Sequence, residues 1–163
     1  MVYWLLPAKP ERELFAELIR ILAQPFGAPK FEPHITIGRA KNGESARDVL
    51  RRLKVAPVHL RIRGVSFSPK FTRTLFVRFH SNPTLEKLVA DLLGDAKALP
   101  DPHLSLLYKK LPSWAKRELA AAIKLPVRQI RFDSLQAVRC PMPTETRADV
   151  NRWRTIATKR LSR

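Results

Sequence analysis

Residues 101–110 read DPHLSLLYKK, and residues 32–40 read EPHITIGRA. Each stretch contains, in the same order, an acidic residue, a proline, a histidine, an apolar residue, a residue with a hydroxyl group and a second apolar residue. A single histidine two places before a hydroxyl is common in ordinary protein cores and says little about function. Two copies with matching prolines and apolar residues indicate a duplicated structural unit that carries a site.

Strand alternation places the polar side chains of each copy on one surface. Successive side chains of a β-strand point to opposite faces, so His34 lies with Thr36 and His103 lies with Ser105. The strand rise separates the imidazole from the hydroxyl by about 7 Å. If the two copies pack with approximate two-fold symmetry, the two polar faces meet across a groove.

The remaining sequence repeats one order of elements around each motif. Hydrophobic periodicity predicts strand, helix, strand, helix, strand, then strand, helix, strand, helix, strand, and a final strand. Asn82 and Gly94 are expected at the two ends of the third helix, and residues 141–149 are expected to be a loop between the last two strands. We interpret this order as an imperfect duplication of α+β units. No linker rich in glycine or serine divides it, so residues 1–163 are expected to form one domain.

The charge of the chain is far from balanced. Its 31 Lys and Arg residues against 14 Asp and Glu residues give a formal net charge of +17. A positive field of this size favours polyanions such as RNA, DNA or nucleotides, or an acidic membrane surface, although a solvating arginine-rich surface has the same composition. Charge alone does not separate these two interpretations.

Cysteine usage and hydropathy predict a cytoplasmic protein without a membrane span. Cys140 is the only cysteine, which excludes an intrachain disulfide and is typical of a reducing compartment. The apolar run at the N-terminus has no basic segment before it and is broken by Pro7, so it is a poor signal peptide. No apolar stretch approaches the length that crosses a bilayer.

The doubled motif suits an in-line displacement at phosphorus. One neutral imidazole can take a proton from the attacking water while a protonated one gives a proton to the leaving oxygen. Histidine is suited to both roles because its ordinary pKa is about 6.5, which predicts a bell-shaped pH–rate profile near neutrality. Thr36 and Ser105 can donate hydrogen bonds to the non-bridging phosphate oxygens. This chemistry requires no metal.

A zinc site is the alternative use of the two histidines. It would need at least a third ligand, and Glu32 and Asp101 have the strand parity to supply one. The intervening prolines leave the direction of these two carboxylates open. His59 and His80 are followed by no hydroxyl two places on and are interpreted as structural or surface residues.

The stretches PHITIG and PHLSLL resemble the paired H-x-[ST]-x motifs of the two-histidine phosphoesterase superfamily. Within it, FGAPKFEPHITIG and HLSLLY are similar to the cyclic phosphodiesterases of plants and yeast, and the resemblance extends to the N-terminal YWLLPA. It implies a bilobal, pseudo-two-fold α+β fold whose antiparallel sheets face a central cleft. It also implies opening of a cyclic phosphate to a monoester without metal or cofactor. The expected substrate is a 2′,3′-cyclic nucleotide or ADP-ribose 1″,2″-cyclic phosphate.

The resemblance also implies roles for individual residues. His34 and His103 correspond to the acid/base pair, and Thr36 and Ser105 correspond to the phosphate clamp. The sequence does not say which histidine is the base, and His103 is favoured only because the candidate substrate residue Tyr108 lies beside it. Tyr108 matches the position whose ring lies along the base or ribose of the substrate.

Three further residues are candidates for substrate binding. Trp4 and Phe71 are candidate aromatic walls of the cleft, and Arg73 is a candidate to assist the phosphate. Tyr108 lies an odd number of residues after His103, so a regular strand would point it away from the cleft. A strand end or a bulge is therefore expected there.

Two other functions remain open at the level of sequence. The same motifs occur in enzymes that act on RNA ends, as 2′,3′-cyclic phosphodiesterases with 2′–5′ RNA ligase activity, and the positive charge favours such a substrate. A non-catalytic RNA-binding module is the third possibility, although both histidines and both hydroxyls are retained. No obligatory protein partner is expected, and the protein is expected to be a monomer.

Overall fold

The computed structural model describes residues 1–41, 43–94 and 101–162. Within these ranges the strands are β1 (Val2–Pro7), β2 (Ile35–Arg39), β3 (Val58–Phe67), β4 (Leu75–Phe79), β5 (His103–Leu107), β6 (Gln129–Arg139) and β7 (Arg154–Arg160). The α-helices are α1 (Lys9–Ala23), α2 (Ala46–Arg52), α3 (Pro83–Leu93), α4 (Ser113–Ala122) and α5 (Arg147–Asn151), and short 3-10 helices span Gln24–Phe26 and Phe71–Arg73. None of the helices in the described ranges is long and apolar enough to cross a membrane. The expected single domain of residues 1–163 also includes the few positions outside these ranges.

Local sequence signals set both ends of α3, as predicted. The Asn82 side chain accepts a hydrogen bond from the backbone N–H of Leu85 at 2.9 Å and so satisfies one free donor of the first turn. At the other end, Gly94 has a φ of 64°, a left-handed conformation that glycine adopts without steric cost.

The expected loop at residues 141–149 is wrong at its C-terminal end, because α5 begins there. Thr146 and Asp149 form a reciprocal capping box. The Thr146 hydroxyl accepts from the Asp149 backbone N–H at 3.2 Å, and the Asp149 carboxylate accepts from the Thr146 backbone N–H at 3.0 Å. Two satisfied donors stabilise the start of a helix that is too short to show an apolar period.

The strands form one antiparallel sheet in which six strands close into a ring. The hydrogen-bonded order is β1-β2-β5-β4-β3-β6, β6 also pairs with β1, and β7 is added beside β6. If β1 is exchanged with β4, β2 with β5 and β3 with β6, the same six pairings result. For example, the β1–β2 pair becomes the β4–β5 pair. The strand pairing thus has the pseudo-two-fold symmetry predicted from the sequence, and the fold class is α+β as expected.

The two faces of β1 contact different hydrophobic clusters. Tyr3 and Leu5 belong to the main core, which also contains buried residues of α1, α2 and α3. Trp4 and Leu6 point the other way and pack with Val138. The main core therefore occupies the helix side of the sheet. Its opposite side is free to carry a site.

Candidate active site

The two histidine motifs lie side by side because β2 and β5 are neighbours in the sheet. Ile35 pairs with Leu104 in antiparallel register, and both are fully buried in the main core. Continued by one residue in each direction, this register sets each histidine opposite the hydroxyl residue of the other strand: His34 opposite Ser105, and His103 opposite Thr36. The four polar residues of the doubled motif therefore share the face of the sheet that lies away from the main core.

Three contacts hold His34 in place. Its Nδ1 atom donates a hydrogen bond to the backbone carbonyl of Glu32 at 2.6 Å. The indole of Trp4 stacks on the imidazole, with ring centroids 3.8 Å apart and an interplanar angle of 15°. Trp153 meets the same imidazole edge-on, at 6.0 Å between centroids. The residue is 6% exposed, so the orientation of its ring is set by protein contacts.

His103 has the equivalent hydrogen bond in the second motif. Its Nδ1 atom donates to the backbone carbonyl of Asp101 at 2.8 Å, and its ring meets Phe76 edge-on, at 5.3 Å between centroids. Arg78 lies directly opposite His103 on β4. The Asp101 carboxylate accepts from Arg78 Nε at 2.9 Å and from Arg73 Nη2. Two arginines and one carboxylate thus surround this histidine.

These hydrogen bonds determine the tautomer of both histidines. A carbonyl oxygen only accepts, so each neutral imidazole carries its proton on Nδ1 and leaves Nε2 unprotonated. Burial lowers the pKa of His34 to about 4, repulsion from His103 acts in the same direction, and the bond to Glu32 opposes both. The pKa of His103 is also lowered to about 4, by burial and then by Arg73 and Arg78. In the free protein at neutral pH, both imidazoles therefore present a basic Nε2.

We expect the Hε1 resonances of His34 and His103 to titrate near pH 4 in the phosphate-free protein. Inorganic phosphate should raise the midpoint of at least one of them, because an anion beside an imidazole favours its charged form. The measurement is a proton NMR titration, with the resonances assigned from His34→Gln and His103→Gln variants. Midpoints at or above about 6.5 for both histidines without phosphate would contradict burial as the dominant influence. Because the unfolded chain binds these protons at higher pH, stability should fall as the pH drops from about 6.5 to 4.

The two hydroxyl residues differ in their surroundings. The Thr36 side chain is exposed and lines the cavity described below. Ser105 is buried, and its Oγ donates to the backbone carbonyl of Thr72 at 2.8 Å. Thr36 can therefore donate to a bound anion as it stands, whereas the Ser105 hydroxyl must rotate away from Thr72 to do so.

Tyr108 reaches the same side of the sheet as the histidines through an irregularity in β5. Phe76 pairs with Ser105 and Leu75 pairs with Leu107, so Leu106 is an extra residue on its strand. This bulge, followed at once by the strand end, is the departure from alternation that the sequence required. The Tyr108 ring is buried, and burial raises the pKa of its hydroxyl, which stays protonated as a donor.

A cavity of about 310 Å³ adjoins His34. This volume is at the lower end of the range for small-molecule sites, about 300–1,000 Å³. Its walls come from β1, β2, the end of β5 and the segment between β6 and β7. The lining residues are Val2, Trp4, His34, Thr36, Thr72, Tyr108, Cys140, Met142, Pro143, Thr144 and Trp153. Burial raises the pKa of the Cys140 thiol to about 11, so this cavity residue is a neutral thiol near pH 7.

Of the other predicted substrate-binding residues, Trp4 lines the cavity, whereas Phe71 and Arg73 are not among its lining residues. The Phe71 ring packs on Tyr108 at 5.8 Å between centroids and so supports the wall from behind. Arg73 is drawn to Asp101 by charge, and its guanidinium carbon lies 4.2 Å from the centroid of the Phe76 ring.

Two aromatic residues of the site were missed from the sequence. Phe31 stacks on Tyr108, with centroids 3.9 Å apart and an interplanar angle of 10°. Trp153 lines the cavity and meets Trp4 edge-on, at 4.9 Å between centroids. Phe31 immediately precedes the first motif, which was an available signal. Trp153 had none, because only the path from β6 through α5 to β7 brings it here.

The carboxylates considered as zinc ligands are bound to arginines. Glu32 accepts from Arg12 Nε at 2.5 Å, and Asp101 accepts from Arg78 and Arg73. Within residues 1–41, 43–94 and 101–162, no group of three or more His, Cys, Asp or Glu side chains is arranged to hold a metal ion.

Solved structures of low sequence identity share this fold. LigT of E. coli complexed with 3′-AMP matches with a TM-score of 0.55 and 13% identity, over 99% of this chain and 97% of that chain. A phosphoesterase matches with a TM-score of 0.54 and 12% identity, over 99% and 97%. TT0787 of Thermus thermophilus matches with a TM-score of 0.52 and 20% identity, over 99% and 98%. No protein-family model and no curated protein matches the sequence. The chain thus has the fold of E. coli LigT.

Proposed function

We propose that this chain is a metal-independent cyclic phosphodiesterase that opens the cyclic phosphate of a nucleotide to a phosphomonoester. The substrate class is a 2′,3′-cyclic nucleotide or ADP-ribose 1″,2″-cyclic phosphate. The observation that carries the proposal is the pair of imidazoles on adjacent strands, each with Nδ1 bound to a carbonyl and Nε2 available. An in-line displacement needs two proton-transfer groups. One takes a proton from the attacking water, and the other gives a proton to the leaving oxygen on the opposite side of phosphorus.

The proposed reaction transfers two protons and breaks one P–O bond. Water attacks phosphorus while the basic histidine takes the proton of the water at Nε2. The ester bond of the ring opens, and the acidic histidine gives its Nε2 proton to the departing ribose oxygen. The product is a monoester. The two histidines have then exchanged protonation states, and solvent restores the starting arrangement.

We assign the base to His103 and the acid to His34. Burial, and after it Arg73 and Arg78, lower the pKa of His103, so its Nε2 carries no proton in the free protein and is available to accept one. The face of Trp4 against His34 favours an imidazolium there through a cation–π contact. The anionic phosphate of the substrate supplies the remaining stabilisation, since burial keeps His34 neutral in the free protein.

The same pKa values change the expected pH dependence. The ratio kcat/KM reports on the free enzyme, in which both imidazoles have a pKa of about 4. The optimum of kcat/KM is therefore displaced to the acidic side of the neutral range expected for unperturbed histidines. The optimum of kcat lies at a higher pH because the bound phosphate raises the pKa of the acid.

The cavity beside His34 is the proposed binding site of the nucleoside. Trp4, Tyr108 and Trp153 give it aromatic walls, and Thr36 lies at its polar side. An aromatic base gains offset or edge-on ring contacts on such walls. The complex of E. coli LigT with 3′-AMP is consistent with nucleotide binding by this fold.

The second candidate is an enzyme that acts on RNA ends, as a 2′,3′-cyclic phosphodiesterase with 2′–5′ ligase activity. The net charge of +17 favours it, because a mononucleotide needs few cations whereas an RNA strand contacts many. The third candidate is a non-catalytic RNA-binding module. Such a module would not require the two histidines and two hydroxyls, and their presence therefore favours an enzyme.

Turnover of 2′,3′-cyclic AMP, ADP-ribose 1″,2″-cyclic phosphate and an RNA oligomer with a cyclic phosphate end should separate these functions. We expect hydrolysis of 2′,3′-cyclic AMP, of ADP-ribose 1″,2″-cyclic phosphate or of both, unchanged by EDTA, with the product regiochemistry read by NMR. Cleavage of a mononucleotide should depend weakly on salt, whereas a reaction on RNA should slow steeply as salt rises. Absence of turnover on all three substrates would contradict an enzymatic function, and strong inhibition by EDTA would contradict a metal-independent one.

A further inference from the structure

The acidic residue two places before each histidine is a part of the doubled motif that the catalytic proposal does not use. Glu32 precedes Pro33 and His34, and Asp101 precedes Pro102 and His103. In both copies the backbone carbonyl of the acid accepts the Nδ1 proton of the histidine, at 2.6 Å and 2.8 Å. In both copies its carboxylate is bound by arginine. The two copies of the motif have thus formed the same local arrangement.

The arginines come from different parts of the fold. Arg12 belongs to α1 and binds Glu32 at 2.5 Å from Nε to Oε1. Arg78 belongs to β4 and binds Asp101 at 2.9 Å from Nε to Oδ1, and Arg73 precedes β4. Each acidic residue therefore links its histidine to another element. Its carboxylate accepts a hydrogen bond from the arginine of that element, and its backbone carbonyl accepts one from the histidine Nδ1.

The intervening proline makes this link stiff. Proline has a fixed φ and no backbone N–H, so the peptide that carries the accepting carbonyl has few other conformations. The residue before a proline is itself restricted to extended conformations. Fixing the carboxylate of Glu32 or Asp101 then also fixes where its carbonyl oxygen points, and with it the Nδ1 atom of the histidine.

We propose that Glu32 and Asp101 are positioning residues, each using its arginine-bound carboxylate to hold the carbonyl that keeps its histidine in the Nδ1–H form. This inference rests on the proposed function for its catalytic consequence. Its structural consequence, the tautomer of each histidine, holds whatever the substrate is. The wrong tautomer places the proton on Nε2 and removes the base from the reacting atoms, which is a severe defect in other histidine-dependent enzymes.

Asp101 has a second effect that Glu32 does not share. Its carboxylate binds both Arg73 and Arg78, which lie near His103, and offsets one of their two positive charges. The Arg73 guanidinium also lies over Phe76, whose ring meets His103 edge-on. Without the carboxylate, both guanidinium groups become free to bind the substrate phosphate away from its productive position.

The test compares Asp101→Asn and Glu32→Gln with Asp91→Asn. The control removes a carboxylate of similar exposure, bound to Lys87 at 2.8 Å on α3, outside the site. In wild type, the ring nitrogens should show an Nδ1–H tautomer for both histidines in 15N NMR at neutral pH. Asp101→Asn should mix the tautomers of His103, and Glu32→Gln those of His34, with a loss of kcat of about tenfold or more. Asp101→Glu should recover part of the loss because it restores the carboxylate.

Two readouts keep the inference separate from the proposed function. The tautomers are measured without substrate, so a wild-type protein that hydrolyses no cyclic phosphate would contradict the function and leave the positioning role to the NMR result. Unchanged tautomers in both folded variants would overturn the positioning role, as would an equal change in Asp91→Asn. Circular dichroism melts identify a variant that fails to fold. Glu32→Gln is the variant less expected to do so, because the Glu32 side chain is 36% exposed.

Discussion

Replacing His34 or His103 with glutamine should lower kcat for the preferred cyclic phosphate by about 10²-fold or more, because each variant removes one of the two proton-transfer groups. Glutamine keeps an amide N–H that can bond the carbonyl of Glu32 or Asp101, so the local structure should persist. The double variant should be about as slow as the slower single variant, since the two residues act as a unit. Steady-state assays of the three variants at several pH values provide the measurement.

The matched control for this prediction is His80→Gln. His80 is exposed and lies after β4, outside the residues that line the cavity. Its activity should equal that of the wild type. Full activity in either His34→Gln or His103→Gln would refute the two-histidine mechanism. A wild-type protein without turnover whose RNA binding is lost in these variants would be a binding module instead.

Thr36→Val and Ser105→Ala should each lower kcat/KM by about 10²-fold, which is typical for the loss of one donor to a developing negative charge. Valine keeps the branched shape of Thr36, whose side chain is exposed, so stability should not change. In Ser105→Ala the Thr72 carbonyl loses its hydroxyl partner, and a small loss of stability accompanies the loss of rate. Both variants should also bind inorganic phosphate more weakly.

Thr158→Val serves as the control for the hydroxyl variants, because Thr158 is exposed on β7 and is not a lining residue of the cavity. Kinetics and isothermal titration with phosphate, together with melting temperatures, separate a clamp from a structural role. A rate within twofold of the wild type in both Thr36→Val and Ser105→Ala would remove the phosphate clamp from the mechanism.

Local rules were enough to predict much of this site. Strand alternation put His34 with Thr36 and His103 with Ser105, since the two-residue period of a strand depends on the chain itself. The same period showed that Tyr108 required an irregularity, and the bulge at Leu106 provides it. The pairing symmetry of the ring followed from the repeated order of elements.

Long-range contacts were beyond those rules. The buried face of α1 illustrates this. Phe15, Ile19 and Leu22 are buried, whereas Ile21 is 52% exposed. Apolar residues of α1 form more than one possible helical stripe, and only packing against the sheet decides which stripe is buried. Short capping signals were overlooked for a related reason, because α5 has five residues and shows no apolar period of its own.

The sequence by itself determined that two histidine strands exist, that each presents a hydroxyl beside its imidazole, and that an acidic residue and a proline precede each histidine. Those properties depend on neighbours within a few residues. Only the tertiary structure decided that the strands are adjacent, that arginines from α1 and β4 bind the two acidic residues, and that Trp153 closes the cavity beside His34. Burial by those distant elements lowers the pKa of both histidines, and the charges of Arg73 and Arg78 lower that of His103 further, because solvation and Coulomb interactions depend on distance in space and not on separation along the chain.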